Sequence, residues 1–318
     1  MHRPVLLAET LELLQPRPGQ VAVDATVGTA GHAKVFCEKI QPEGFLLGID
    51  RDPQVAELAA RELMSAGFAR GRQFEIEVRR FSTVDEALAR RRIPSLDWLL
   101  ADLGVHSLHL DLADRGFSLK RDGPLDMRMN PAEGSAPSAA DIVNGADEPD
   151  LARIFAEYGE ERFARQVARA VVRERAKSPI ATTARLREVV AAAIPQRFHP
   201  PQVDVATRVF QALRIAVNGE LEELDALLAK LPGLLRVGGR AAIISFHSLE
   251  DRRVKDAFRS LARVCKCPPE SPVCTCGRQP EFRVLTAKPI AASAAEVAEN
   301  PRARSARLRG IERIRAAQ

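Results

Sequence analysis

Three aspartates each close an apolar run where a ligand would need an acid. Asp24 follows Val21-Ala22-Val23, Asp50 follows Phe45-Leu46-Leu47-Gly48-Ile49, and Asp102 follows Leu99-Leu100-Ala101. Between the first two, Gly28 and Gly31 let the backbone turn sharply and approach a ligand, and the spacing over Ala33–Ile40 predicts a short helix. Strand, glycine turn, helix, strand and acid make half of a nucleotide-cradling α/β unit, whose acid accepts the hydroxyl hydrogens of an adenosine ribose. Charge selects the ligand. A dinucleotide brings pyrophosphate over a G-x-G-x-x-G turn, and the carboxylate of Asp24 beside this sparser turn would repel it. S-adenosylmethionine carries no phosphate and has a cationic amine and sulfonium, so Asp24 becomes a contact. The bland alternative for Asp24 is a turn or cap acid.

These acids must be positioned by a sheet. Helices are predicted at 52–67 and 84–92, strands at 74–78 and 95–102, and the next comparable strand at Arg240–Phe246, after the turn Gly238-Gly239 and a long helical pattern from Ala206 to Leu231. Ligands in such folds lie outside the carboxyl ends of the strands, so Asp102 should face the site and Phe81, just past a strand tip, could pack on an adenine or simply belong to the core. More than a hundred residues separate the fourth and fifth strands where one crossover helix would do. The expected organisation is therefore an α/β Rossmann-like sheet in two parts, 1–112 and 205–318, with a mainly helical insertion at 113–204 hanging over the strand tips as a substrate clamp.

His247 and Ser248 follow the fifth strand. Ser248 with Asp251 has cap spacing for a helix over Leu249–Phe258, which makes Ser248 a cap before a nucleophile. His247 is a candidate wall of the acceptor pocket beside Asp102, or a histidine bonded to a loop carbonyl. Asp126 and Arg128, set between Leu125, Met127 and Met129, offer an apolar surface with two polar hooks that would suit a flipped base; a loop packed on the core would read the same. Arg162, Arg165, Arg169 and Arg173 share one helix face beside an apolar stripe and could line a phosphate backbone, as could a basic edge strand at Arg302–Arg309. Cys265, Cys267, Cys274 and Cys276 form two C-x-C pairs, tighter than usual zinc spacing, so no metal is assigned and reduced thiols are the alternative.

The chain has 318 residues and a formal charge of +5, enough length for a large core and a modest bias toward a polyanionic partner. No apolar run approaches the length of about 20 residues that spans a bilayer, and the start MHRPVLLAET lacks a signal-peptide layout, so a cytoplasmic protein without membrane contact is expected.

Further segments extend the pattern: HRPVLLAE at the start, GIDRDP at 48–53, DLGVHS at 102–107, RGFSLKRDGPLDMRM, YGEERFARQVARAVV, ATRVFQALRIAVNGELEEL, IISFHSLEDRRVK and NPRARSARLR. With the turn at 24–32 they resemble, over nearly the whole chain, the MraW (RsmH) family of methyltransferases acting on N4 of a cytosine in 16S ribosomal RNA. The resemblance implies a class I methyltransferase sheet, S-adenosylmethionine as cofactor and cytosine 1402 of 16S rRNA in the small ribosomal subunit as target, with a homodimer as a candidate state. Carried over position by position, Ala30, Gly31 and His32 would hold the methionine end, Asp50 the ribose, Phe81 the adenine and Asp102 the base or the methionine side. The next cofactor contact carried over falls on His109, where that family usually has Gln; a histidine can still donate one hydrogen bond. Ala25, Ala30 and Ala33 replace the usual small residues of the turn, a path free of strain only if φ is negative at Ala25 and Ala30. Asp102 is then the candidate to orient the amine and His247 to help bind or deprotonate it. The alternatives are an RNA-binding assembly factor on a vestigial cofactor fold, and a nicotinamide oxidoreductase.

Overall fold

The computed structural model describes residues 4–134, 136–263 and 279–316. The chain forms two compact units, Met1–Gly104 with Glu222–Gln318, and Val105–Leu221.

The first unit is built on β1 (Val21–Asp24), β2 (Phe45–Asp50), β3 (Phe74–Val78), β4 (Leu96–Asp102), β5 (Leu235–Ser245), β6 (Phe282–Val284) and β7 (Arg307–Arg313). They form one sheet in the order β3-β2-β1-β4-β5-β7-β6. The first five are parallel, and β7 runs antiparallel between β5 and β6. This is the class I methyltransferase arrangement expected from the sequence. The chain winds outward from β1 to β3 and then returns to place β4 on the other side of β1, so a crevice opens at the carboxyl ends of β1 and β4. Asp24, Asp50 and Asp102 are the terminal residues of three adjacent strands.

Both faces of the sheet are covered, which is why its central strands read as continuous apolar runs. Ala22, Leu46, Trp98, Leu100 and Ile244 pack on one side with Phe36, Ile40 and Leu63. Their alternates Val23, Leu47, Leu99, Ala101 and Ile243 pack on the other with Leu88, Leu227, Leu231 and Phe258. Asp52 starts the helix Pro53–Ser65 by accepting a hydrogen bond from the Gln54 amide at 2.8 Å.

Three local expectations are corrected. The pattern from Ala206 to Leu231 is two helices, Thr207–Asn218 and Glu220–Leu234, because Gly219 takes φ 61° and ends the first. The cap of the helix Ser248–Leu261 is His247, and Ser248 is its first residue. The basic tail is not an edge strand: Pro301–Ser305 is a 3₁₀ turn, and β7 lies inside the sheet. Arg309 is only 7% exposed, and its guanidinium donates to both carboxylate oxygens of Asp251 at 2.7 and 2.9 Å.

The second unit is helical, with Glu148–Glu157, Ala164–Arg175, Thr183–Ala193 and Thr207–Asn218 around a core that includes Phe155, Val167, Val171, Leu186 and Val190. It is wider than the span 113–204 read from the sequence, because Phe210, Leu213 and Val217 also belong to that core. Among the described residues no helix is long and apolar enough to cross a membrane.

The Arg309 pair gives a stability prediction. Removing one partner of a nearly buried, bidentate ion pair leaves a poorly solvated charge. Arg309→Leu should therefore lower the unfolding free energy by about 3–5 kcal/mol in urea denaturation. An unchanged midpoint would make Arg309 a surface arginine after all.

Candidate active site

The turn after β1 is held from both sides. The Ala25 amide donates to the Leu100 carbonyl and the Val27 amide to the Ile49 carbonyl, each at 2.8 Å, so the turn is tied to β4 and β2 together. Gly28 takes φ 54° and Ala30 takes φ 64°. The condition for an unstrained turn therefore fails at Ala30, whose left-handed backbone costs about 1–2 kcal/mol. Ala30 is fully buried, so packing holds it there. It precedes the helix Gly31–Ile40, whose start has no side-chain cap and no acidic residue in its first turn. A helix start of this kind favours an anionic group such as a ligand carboxylate. A Cβ on Gly31 would stand 3.4 Å from Pro4, so the N-terminal segment lies against this turn.

The three acids share dry surroundings. Asp24 is 2% exposed and accepts from the Thr26 amide at 3.2 Å. Asp50 accepts from the amides of Gly28 at 3.1 Å and Asp52 at 2.9 Å. The Asp102 amide donates to Thr26 Oγ1 at 2.6 Å, while its buried Oδ1 has no hydrogen-bond partner among the described residues. Burial pushes Asp24 up to about 7, with the Asp50 charge adding to it against the Thr26 hydrogen bond. Burial likewise pushes Asp50 up to about 7, with the Asp52 charge raising it further and backbone amides opposing. Asp102 is raised well above the carboxylate range by burial first, then by the charges of Asp24 and Glu250.

His32 joins this cluster. Its Nε2 lies 2.9 Å from the Val5 carbonyl, which can only accept, so Nε2 carries a proton. In the neutral ring Nδ1 is then a lone pair, and it sits 3.7 Å from Asp102 Oδ2. The two groups form a pair with room for one proton between them.

Phe81 begins the 3₁₀ turn Phe81–Thr83 beyond β3 and is half-buried against the core, which serves both readings of it. His247 has a structural task first: its Nδ1 accepts from the Glu250 amide at 3.4 Å, and its Nε2 lies 3.2 Å from Glu250 Oε1. The other Glu250 oxygen accepts from the Phe246 amide at 2.8 Å. Sequence reasoning passed over Thr26, Glu250 and Val5. Glu250 had a visible signal, an acid three residues after a histidine at a strand end. Val5 had none, because only its carbonyl acts.

The remaining candidates belong to the second unit. His109 is buried, its ring stacked on Phe117 with centroids 5.1 Å apart. Asp126 and Arg128 do not present two hooks on an apolar surface: the Arg128 guanidinium donates to both Asp126 oxygens at 2.8 and 2.7 Å, and Leu125 and Met127 are core residues. Although burial opposes it, the bonds from Arg128 hold Asp126 below the usual range. Arg162, Arg165, Arg169 and Arg173 are all exposed on or beside the helix Ala164–Arg175. Cys265, Cys267, Cys274 and Cys276 lie outside the described residues.

The raised acids fix the sign of a pH effect. A carboxyl that holds its proton more tightly folded than unfolded contributes stability that is complete near pH 4 and is lost as pH rises through about 7. Asp24→Asn keeps the side-chain oxygen for Thr26 and removes the charge. Thermal and urea unfolding at pH 8 should show the ligand-free variant more stable than wild type by roughly 1–3 kcal/mol, the gap closing toward pH 5. A less stable variant at pH 8 would contradict a costly buried charge.

The whole chain has known relatives. The family profile described as the MraW methylase family matches residues 1–314. The chain is 49% identical over 313 residues to the protein named ribosomal RNA small subunit methyltransferase H of Geobacter sulfurreducens, covering 98% of this chain and 99% of that one. It is 49% identical over 313 residues to the protein of the same name from Syntrophotalea carbinolica, covering 98% of each. A third of that name, from Myxococcus xanthus, is 48% identical over 314 residues, covering 99% of this chain and 98% of its own. With the sheet order, the acid-tipped crevice and this likeness end to end, the chain belongs to the MraW methylase family.

Proposed function

We propose that this protein is an S-adenosylmethionine-dependent methyltransferase acting on N4 of a cytosine in 16S ribosomal RNA, cytosine 1402 by the family resemblance, within the small ribosomal subunit. The observation that carries the reading is the clustering of Asp24, buried, with the half-buried Asp50 and Asp102, three carboxyls with raised proton affinity, around a helix start that has no cap of its own. Such a crevice disfavours pyrophosphate and suits a ligand that has a cationic centre, a carboxylate and a ribose. S-adenosylmethionine supplies an electrophilic methyl group on a sulfonium. Asp24 faces the positive charge, the helix start at Ala30, Gly31 and His32 holds the methionine end, Asp50 takes the ribose hydroxyls and Phe81 packs on the adenine.

The amine of cytosine is a weak nucleophile because its lone pair is delocalised into the ring. The Asp102 carboxylate, at the tip of β4 and partly exposed, is suited to accept an amino hydrogen and localise that lone pair. Positive charge in the crevice favours its carboxylate form. Once nitrogen has gained the methyl group it must lose a proton, and the Asp102 carboxylate is placed to take it as a general base. His247 supports this arrangement through Glu250, and the exposed arginines of the second unit supply charge for the phosphate backbone. A homodimer forms no part of this reading.

Two measurements test it. Transfer of labelled methyl from S-adenosylmethionine to small ribosomal particles should modify a single cytosine at N4 when the product is mapped; incorporation elsewhere or none at all would refute the assignment. Asp102→Asn should lower kcat by roughly 10²–10⁴-fold, the range for losing a general base, while calorimetry still shows cofactor binding. Undiminished turnover in that variant would exclude Asp102 from the chemistry.

A further inference from the structure

The arginines of the second unit fall into two groups. Arg169 lies 3.5 Å from Glu148 and Arg173 lies 3.4 Å from Glu174, so their charge is partly answered within the protein. Arg162, Arg165 and Arg197 are exposed and make no ion pair with any described residue. Two of these meet on an aromatic ring: the Arg162 guanidinium is 5.3 Å and that of Arg197 4.9 Å from the centroid of Phe198. Arg162 also lies 5.6 Å from Phe163, whose ring is 5.1 Å from that of Phe198. Phe198 is 38% exposed, unusual for so large an apolar side chain.

The backbone under this cluster is tied down. Gln166 donates to the Ala193 carbonyl at 2.6 Å, His199 Nε2 to the Ile194 carbonyl at 2.8 Å, and the Phe198 amide to the Pro195 carbonyl at 2.8 Å. Two like charges are thus held against one ring, with no ion-pair partner among the described residues. Flat guanidiniums on an aromatic face keep their outer edges open for bidentate contact with phosphate oxygens, and their planes for stacking on a base.

We propose that Arg162, Arg165, Arg197 and Phe198 form a docking surface for single-stranded RNA, in which Phe198 sets the guanidiniums of Arg162 and Arg197 as a stacking and phosphate-binding plate. Contact is concentrated at this end of the basic stripe and weakens toward Arg173. The surface rests on the RNA substrate class proposed above and adds Phe198 and Arg197, which do not belong to the stripe read from the sequence. Its chemistry selects unpaired RNA, because a duplex withholds its base faces.

The test uses the full chain and a labelled, unpaired RNA oligonucleotide of small-subunit sequence, with anisotropy read across a salt series. Arg162→Gln, Arg165→Gln and Arg197→Gln should each lower the slope of log affinity against log salt by about 0.7, the value for one phosphate on a single strand. Arg169→Gln and Arg173→Gln should lower it by less. Phe198→Ala, which removes no charge, should still weaken binding roughly tenfold, within the range for a lost stacking contact. Calorimetry with S-adenosylmethionine on each variant checks that the fold persists. Equal effects along the whole stripe with a silent Phe198→Ala would overturn the plate in favour of a diffuse basic field. Unchanged oligonucleotide binding in every variant, with weakened binding to whole particles, would assign the surface to a ribosomal protein and also overturn it. Failure of wild-type methyl transfer would instead strike the proposed function, so the two readings fail separately.

Discussion

Three carboxyl groups side by side at the tips of adjacent strands are the constraint from which the rest of the site follows. Parallel β1, β2 and β4 end together, so Asp24, which is buried, and Asp50 and Asp102, which are half-buried, share one crevice. Loss of solvation first, and then the charge of a neighbouring acid, makes each hold its proton more tightly than an ordinary carboxyl. Such a site is costly when empty of positive charge and becomes favourable when a cation enters. The binding energy for a sulfonium ligand is thus stored in the fold as unfavourable electrostatics.

Everything near the crevice keeps this arrangement in place. The turn is tied to β2 and β4, Thr26 links it to Asp102, and the N-terminal segment lies against Gly31 while its Val5 carbonyl fixes the tautomer of His32. Strain at Ala30 points the same way, since a left-handed alanine persists only where packing over-determines it. Beyond β5, Glu250 holds His247 and the Phe246 amide and adds its own charge to those acting on Asp102. The second unit presents a row of exposed arginines, Arg162, Arg165, Arg169 and Arg173, suited to a polyanionic acceptor.

Much of this was legible in the sequence because period and punctuation report backbone geometry directly. The apolar runs ending in Asp24, Asp50 and Asp102 gave the strands and the acids at their tips, and the distance from β4 to β5 announced the insertion. What escaped depended on tertiary partners. Alternating arginines at 302–309 look like a solvated edge whether or not Asp251 waits to pair with Arg309. Asp126 and Arg128 look like free hooks until their side chains are seen to close on each other. A backbone carbonyl such as that of Val5 leaves no trace in residue type, and the serine after His247 suggested a cap that the histidine itself supplies.

The central claim is that these acids bind a cation by surrendering protons. It is tested most directly by titrating S-adenosylmethionine calorimetrically at pH 6.5 in buffers of different ionisation enthalpy; an α-amine of ordinary pKa, about 8, is already protonated there. With Asp24 and Asp50 titrating near 7, binding should release protons to the buffer, and Asp24→Asn should release fewer. Binding with no proton exchange, or with net uptake, would contradict the account.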